Sequence, residues 1–274
     1  LNVRGGTDDV HYSFGIARID TKGFSSAAQA PGTDKKMDDD GYANTTISSR
    51  TGYRVTESTW LTHVLRYTDA VADIDDGAYY DDPNSTQQTR QLSTAMGLDH
   101  EIISWWEQTL TLSYMNILRR YDDKTDDNEP TEFTKSWYEG THCKADLKHV
   151  FTLGTIDQLT AGVEIQENST ASTTYSNLGT TQFDEKDIWE RAAFLQNHLK
   201  LLERVFFITG IRYNDHETFG DEITYSLSGS IIVPVSETRL KGNYGTGFRA
   251  PVMTEIYDTP YTDGNQDLKP ERST

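Results

Sequence analysis

Period-two alternation of apolar and polar side chains, sustained over about ten residues and repeated along most of the chain, constrains this sequence more than any other feature. Over 222–233, Ile223, Tyr225, Leu227, Gly229, Ile231 and Val233 share one parity, and Glu222, Thr224, Ser226, Ser228 and Ser230 share the other. Leu92/Thr94/Met96/Leu98, Trp106/Leu110/Leu112/Tyr114, Leu159/Ala161/Val163/Ile165 and Leu240/Tyr244/Phe248 repeat the theme. Helical periodicity is nearly absent. The pattern predicts eleven strands, near 11–19, 42–49, 54–67, 89–98, 105–118, 136–148, 158–167, 188–199, 204–213, 222–233 and 238–248. Their connections alternate: long at 20–41, 69–88, 119–135 and 168–187, short at 50–53, 99–104, 150–156, 200–203 and 234–237, with a moderate 214–221 and a long tail from 249.

An antiparallel meander with short turns at one rim and long loops at the other is the layout of an outer-membrane β-barrel. Such a sheet must close, because a strand edge in lipid leaves backbone groups unpaired. Only alternate residues then need be apolar, which reconciles membrane insertion with a mean hydropathy of −0.66. A soluble β-sandwich alternates too. It does not predict the two unequal rims, nor Trp60, Trp105, Trp106, Trp137 and Trp189 gathered near strand ends. No stretch approaches the roughly 20 apolar residues of a spanning helix, and Leu1–Gly6 has no apolar core of a signal peptide. The net charge of −18 argues against nucleic-acid binding and against basic docking onto anionic lipid. The single Cys143 permits no internal disulfide and reads as an apolar filler.

The C-terminal stretch carries a resemblance. Tyr244-Gly245-Thr246-Gly247-Phe248-Arg249-Ala250-Pro251, then Glu255 and Tyr257, then Gly264-Asn265 and Asp267-Leu268-Lys269-Pro270-Glu271-Arg272-Ser273 resemble the mid-barrel motif of TonB-dependent outer-membrane receptors. Physically, Pro251 stops a strand and Gly264-Asn265 makes a turn. Within that family the chain is most similar to the outer-membrane cobalamin receptors, through Thr21-Lys22-Gly23-Phe24, Asp38-Asp39-Asp40-Gly41-Tyr42, Asp76-Gly77-Ala78-Tyr79-Tyr80 and Thr89-Arg90. The resemblance implies a 22-stranded barrel with a plugged lumen, in the outer membrane of a Gram-negative bacterium. It also implies uptake of a small-molecule ligand, driven by TonB acting on the plug. Residues 1–274 then read as a partial barrel domain, a fragment without plug, TonB box or remaining strands. A complete small barrel would have to accept an odd strand number, which bacterial single-chain barrels avoid. A ferric-siderophore or haem receptor, a passive porin and a secreted acidic β-sandwich are the competing readings.

Acidic loops are the strongest chemical signal: Asp38, Asp39 and Asp40 in the first, Asp73, Asp75, Asp76, Asp81 and Asp82 in the second, Asp122, Asp123, Asp126 and Asp127 in the third. Calcium takes six to eight oxygen ligands, and neighbouring loops at one rim can supply them. The resemblance implies Ca²⁺ ligands at Asp38, Asp40 and Asp76. It also exposes two departures, with Ser25 and Gln88 standing where the pattern has Asp. Asp75, Asp81 and Asp82 are nearby acids able to compensate. Tyr79 and Tyr80, with Trp137 and Tyr138, are candidates to contact a flat ligand, although aromatics at strand ends commonly belong to interfacial girdles. The seven His are scattered without zinc spacing, and no nucleophile elbow or phosphate loop is recognisable, so the chain reads as a receptor and not an enzyme. The longer segments hold 28 of the 43 acids and 11 of the 25 bases. The charge therefore belongs to one rim.

Overall fold

The computed structural model describes residues 1–29, 32, 37–126, 130–201, 204–257 and 264–274. Twelve strands form one antiparallel sheet in strict chain order. They are β1 (Asn2–Gly6), β2 (Val10–Thr21), β3 (Tyr42–Thr56), β4 (Thr59–Asp73), β5 (Thr86–Ile103), β6 (Trp106–Asp123), β7 (Thr134–Leu153), β8 (Asp157–Ser176), β9 (Gly179–Leu201), β10 (Val205–His216), β11 (Gly220–Ile232) and β12 (Arg239–Gly245). Beyond them, β13 (Gly247–Arg249) pairs with β14 (Glu271–Ser273) around a short helix α1 (Met253–Ile256). Among the described residues the sheet does not close: β1 and β12 are its edges.

Register carries the sequence pattern across the sheet. Following directly opposed residues gives one row from β2 to β11: Val10, Tyr53, Leu61, Leu98, Leu110, Leu147, Val163, Ala193, Tyr213 and Ile223. Every member is apolar or Tyr. Because side chains alternate, this row and those two residues away make a continuous apolar face. Exposed Phe14, Ile16, Met96, Leu112, Leu195, Phe207, Ile211 and Leu227 lie on it. In water such a face would drive aggregation; against lipid it is the expected exterior. The opposite face is ionic. Lys144 Nζ and Arg212 Nη2 meet the same Glu164 oxygen at 3.2 and 2.7 Å.

The two rims are unequal. Connections 7–9, 57–58, 104–105, 154–156 and 233–238 are short and lie at one end, while 22–41, 74–85 and 124–133 lie at the other. β7 and β8 are 20 residues long and β9 is 23. A tilted membrane strand needs about 9–11. The excess stands above the hydrocarbon at the long-loop rim.

The structure corrects several sequence boundaries. Twelve strands replace eleven, because the glycines of Asn2–Gly6 mask β1, which pairs with β2. No turn occurs at 50–53; β3 runs on to Thr56, and Thr56 Oγ1 receives the Ser58 amide at 3.3 Å in the real turn. Segment 168–187 is not a loop. Its threonines are β-branched and suit strands, and β8 and β9 stay paired until they turn at 177–178, where Gly179 takes φ +125°. One extra residue in β9 between Phe183 and Lys186 makes a bulge there. Segment 214–221 shrinks to a turn at 217–219. Trp106 follows the lipid-side parity and clusters with Trp105, His149 and Phe151 at the short-turn rim. Trp60 has the inner parity and packs on His11, with Arg54 over its ring at 5.1 Å. Leu110→Arg in the full-length protein is expected to destabilise by about 2–4 kcal/mol, and Thr111→Arg, one residue along and opposite Asp146, by about 1 or less. Urea-dependent folding into lipid vesicles measures both; equal costs contradict the two-faced assignment.

Candidate functional site

The first two long loops are stitched together chiefly by carboxylates accepting backbone hydrogen bonds. At their base the Asp73 amide donates to the Gly41 carbonyl at 2.9 Å and the Gly41 amide to Asp73 Oδ2 at 3.1 Å. Higher up, the Ala28 amide donates to the Ala78 carbonyl at 2.7 Å. Gly23 lets the first loop cross itself. It sits at φ +69°, and a Cβ there would fall 1.8 Å from the Asp40 carbonyl oxygen. A second loop pair is joined by the Lys124 amide donating to Asn84 Oδ1 at 2.8 Å.

Inside this junction Asp38, Asp40 and Asp75 converge, each offering a carboxylate oxygen within 4.8 Å of the others. Asp75 Oδ2 accepts from the Ala27 amide at 2.6 Å and from the Ser26 and Ser25 hydroxyls at 3.0 and 3.2 Å, and its Oδ1 accepts from the Asp82 amide at 3.0 Å. Burial opposes its charge, but those amides and the Ser26 hydroxyl hold the carboxyl below its ordinary value. Asp40 accepts from the Ser26 amide. The second oxygens, Asp38 Oδ1 and Asp40 Oδ1, are buried without a hydrogen-bond partner. Burial, followed by the Asp81, Asp40 and Asp75 carboxylates, pushes Asp38 up to about 6. Buried acceptors left unmatched beside like charges are costly; a hard cation is the group that relieves both. Next to this trio, burial together with Asp126, Asp76 and Asp75 also raises Asp82.

Three of the sequence-derived candidates therefore separate. Asp38 and Asp40 meet, and Asp75 completes the group where Asp76 was expected; Asp76 is exposed. Neighbouring acids in one loop look alike in sequence, and which of them meets Asp38 and Asp40 depends on the path of the second loop ahead of its 77–80 turn. Ser25 lies against the trio through Asp75. Gln88 lies in β5, donating to Asp69 Oδ1 at 2.8 Å beside the Arg90–Asp69 ion pair at 3.1 Å. Asp127 falls outside the described residues. Tyr79 and Tyr80 crown the second loop at 55% and 70% exposure, in a turn where Gly77 and Tyr80 bridge. Trp137 and Tyr138 do not act together. Trp137 packs edge-on against Tyr175 at 5.5 Å, and Tyr138, on the opposite face, lines a cavity of about 420 Å³.

That cavity lies under the C-terminal motif. After Arg249 the chain folds against the inner wall as a strap, 250–257. The Val252 amide donates to Glu255 Oε2 at 2.8 Å, and Arg249 holds Glu255 at 3.0 Å and Glu271 at 3.1 Å. Met253 and Ile256 bury themselves against Ile188 of β9, with Phe219 and Tyr257 packed alongside. The β9 bulge matters here: Phe183 would otherwise take the outer parity, but it is buried, its ring tilted against that of Tyr257 at 6.1 Å. The expected turn at Asn265 is present, with the Asp267 amide donating to Asn265 Oδ1 at 2.9 Å.

A two-faced antiparallel meander with loops collected at one rim defines part of a transmembrane β-barrel wall. Over residues 16–274 the sequence matches the family described as TonB dependent receptor-like, beta-barrel, and the chain belongs to that family. It is 25% identical to the vitamin B12 transporter BtuB of Photobacterium profundum over 239 residues, 87% of this chain and 36% of that protein. It is 33% identical to the BtuB of Vibrio vulnificus over 117 residues, 42% of this chain and 18% of that protein. The chain thus spans about a third or less of these curated relatives. In structure it resembles copper transporter OprC (TM-score 0.76, 13% identity, 99% of this chain and 46% of that one). It also resembles siderophore receptor PirA from Acinetobacter baumannii (TM-score 0.70, 16% identity, 99% and 45%).

Isotope-edited infrared titration of the cation-free receptor should find Asp38 deprotonating near pH 6, with Asp81→Asn moving the midpoint down. An Asp38 midpoint at the ordinary value of about 3.9 contradicts the packing described.

Proposed function

We propose that this chain is part of the wall of an outer-membrane, TonB-dependent uptake receptor for cobalamin or a related corrinoid, in a Gram-negative bacterium. The observation that carries the reading is the relationship to proteins named vitamin B12 transporters across 87% of the chain. Residues 1–274 are a partial barrel domain. Among the described residues β1 and β12 are the sheet's edges, and such edges would be untenable in hydrocarbon without further strands. A plug outside this chain receives the energy from TonB, and the small-molecule ligand passes to the periplasm chemically unaltered.

In this reading the loop junction binds Ca²⁺ through Asp38, Asp40 and Asp75, with Asp76 available from the same loop. The donor set suits the ion: carboxylates from two loops, two of whose oxygens are buried and unpartnered. Bound calcium supplies the positive charge that lets three carboxylates stay ionised together. The chain's own part is to bring the loops to one place, through the Asp73–Gly41 and Ala28–Ala78 bonds. Tyr79 and Tyr80, both exposed above that junction, offer flat faces to the ligand. A ferric-siderophore receptor is the second reading, favoured by the fold shared with PirA.

Equilibrium binding to the full-length receptor separates the two. Cyanocobalamin should bind tightly with calcium present and ferric chelates should not. Asp75→Asn should weaken calcium binding at least about tenfold, as loss of a charged ligand does. Calcium affinity should also fall as pH drops through about 6, because Asp38 then takes up a proton. Tight binding of a ferric chelate with no response to cyanocobalamin overturns the corrinoid reading. Cyanocobalamin binding indifferent to calcium and to Asp75→Asn overturns the calcium assignment alone.

A further inference from the structure

We propose that His216 is the pin of an acid-released latch that holds the 250–257 strap down over the inner-wall cavity. His216 ends β10 and is only 4% exposed. Its Nδ1 accepts two backbone hydrogen bonds, from the Thr218 amide at 3.1 Å and the Phe219 amide at 3.4 Å. A ring nitrogen that accepts carries no proton, so the latched state requires neutral imidazole with its hydrogen on Nε2, 3.8 Å from Glu190 Oε1.

Those two amides close the 217–219 turn. The turn in turn places Phe219, whose ring lies 5.0 Å from that of His216, against Ile188, Met253 and Ile256. The strap grips the wall through this small apolar cluster and through Tyr257, which meets the Phe183 ring at 6.1 Å and lies under Lys186 at 5.8 Å, while Arg249 ties the strap's own Glu255 to Glu271 of β14. A proton added at Nδ1 would face two N–H donors. It would break both bonds, displace Phe219 and take away one side of the seat for Met253 and Ile256.

The surrounding charges set the direction. Burial lowers the affinity of His216 for a proton, while Glu190, Glu217 and Asp215 work the other way. Glu190 is itself held by the Gln166 amide group at 3.0 Å, and Glu217 is tied to Trp189, accepting its amide at 2.9 Å. His142 lines the same cavity, its Nδ1 paired with Asn168 Oδ1 at 2.8 Å. On the strap, Glu255 is engaged by Arg249, and on β11 Glu222 by Arg272 at 2.6 Å. The net shift is downward, so the latch is fully closed above the ordinary histidine value of about 6.5. It weakens as pH falls below that, through the lowered value of His216. The cavity beneath, lined by Met115, Ile117, His142, Asn168, Ile188 and Glu190, opens to the lumen when the strap lifts. Nothing in this device depends on which nutrient the receptor carries.

Hydrogen exchange of the full-length receptor in lipid bilayers, at about pH 7.5 and about pH 5, tests it across the histidine range. Amides of 252–257 should lose protection on acidification, by up to about tenfold for each pH unit between the ordinary and lowered His216 values. Amides at the centres of β7 and β8 should not change. His216→Gln keeps an acceptor without a titration and should leave the strap protected at both values. Glu190→Gln removes the carboxylate that favours a proton on the latched ring, which widens the gap from the ordinary value and should deepen the acid loss of strap protection. Strap protection that ignores pH in the parent overturns the proposal, as does an acid response that survives in His216→Gln. An acid loss no deeper in Glu190→Gln does the same and covers the case in which His216→Gln fails to fold.

Discussion

Backbone hydrogen bonding in a medium without water governs this structure. Each amide and carbonyl crossing hydrocarbon must find a partner in a neighbouring strand. The result is a meander in which β2 through β11 are paired on both sides over their membrane-crossing lengths. The same constraint fixes the chemistry of the faces. Once every strand is paired, side chains alone decide what meets lipid, and the row from Val10 to Ile223 does so without a charged member. Ion pairs such as Lys144–Glu164–Arg212 are confined to the other face.

With the wall settled by pairing, the loops are free to carry charge. The acid excess sits at one rim, and the structure turns part of it into architecture: Asp73 and Asp75 accept the backbone amides that knit the loops. The cost is a knot of carboxylates in which Asp38 is pushed toward neutrality. The strap is the inward counterpart, held by apolar contact and by a histidine turn, so the upper part of the wall carries a charged junction and an apolar one.

Much of this is legible in the sequence, and the reasons are physical. Alternation at period two survives because lipid and lumen demand opposite residues, so the segments 223–231 and 92–98 declare their faces through residue order alone. Strand ends are less legible. Ser- and Thr-rich 168–187 has the composition of a loop, yet it continues as strands above the membrane, where both faces meet water and alternation has no work to do. The β9 bulge that turns Phe183 inward leaves no sequence signature. At the acid junction, Asp38 and Asp40 are recognisable from the D-x-D-G block. Choosing Asp75 over Asp76 requires the path of the second loop, which includes Gly77 at φ +147°. His216 gives no signal at all, because its role comes from a turn amide and a packing neighbour brought together by folding.

Cysteine scanning along β6 of the full-length protein, with Cys143 replaced by Ser, tests the central claim most directly. Cysteines at positions 110, 112 and 114 should react only with a lipid-dissolved thiol reagent, and those at 111 and 113 only with a water-soluble one. Reactivity without that period-two alternation, or water-soluble labelling of 110, 112 and 114, contradicts a lipid-facing wall.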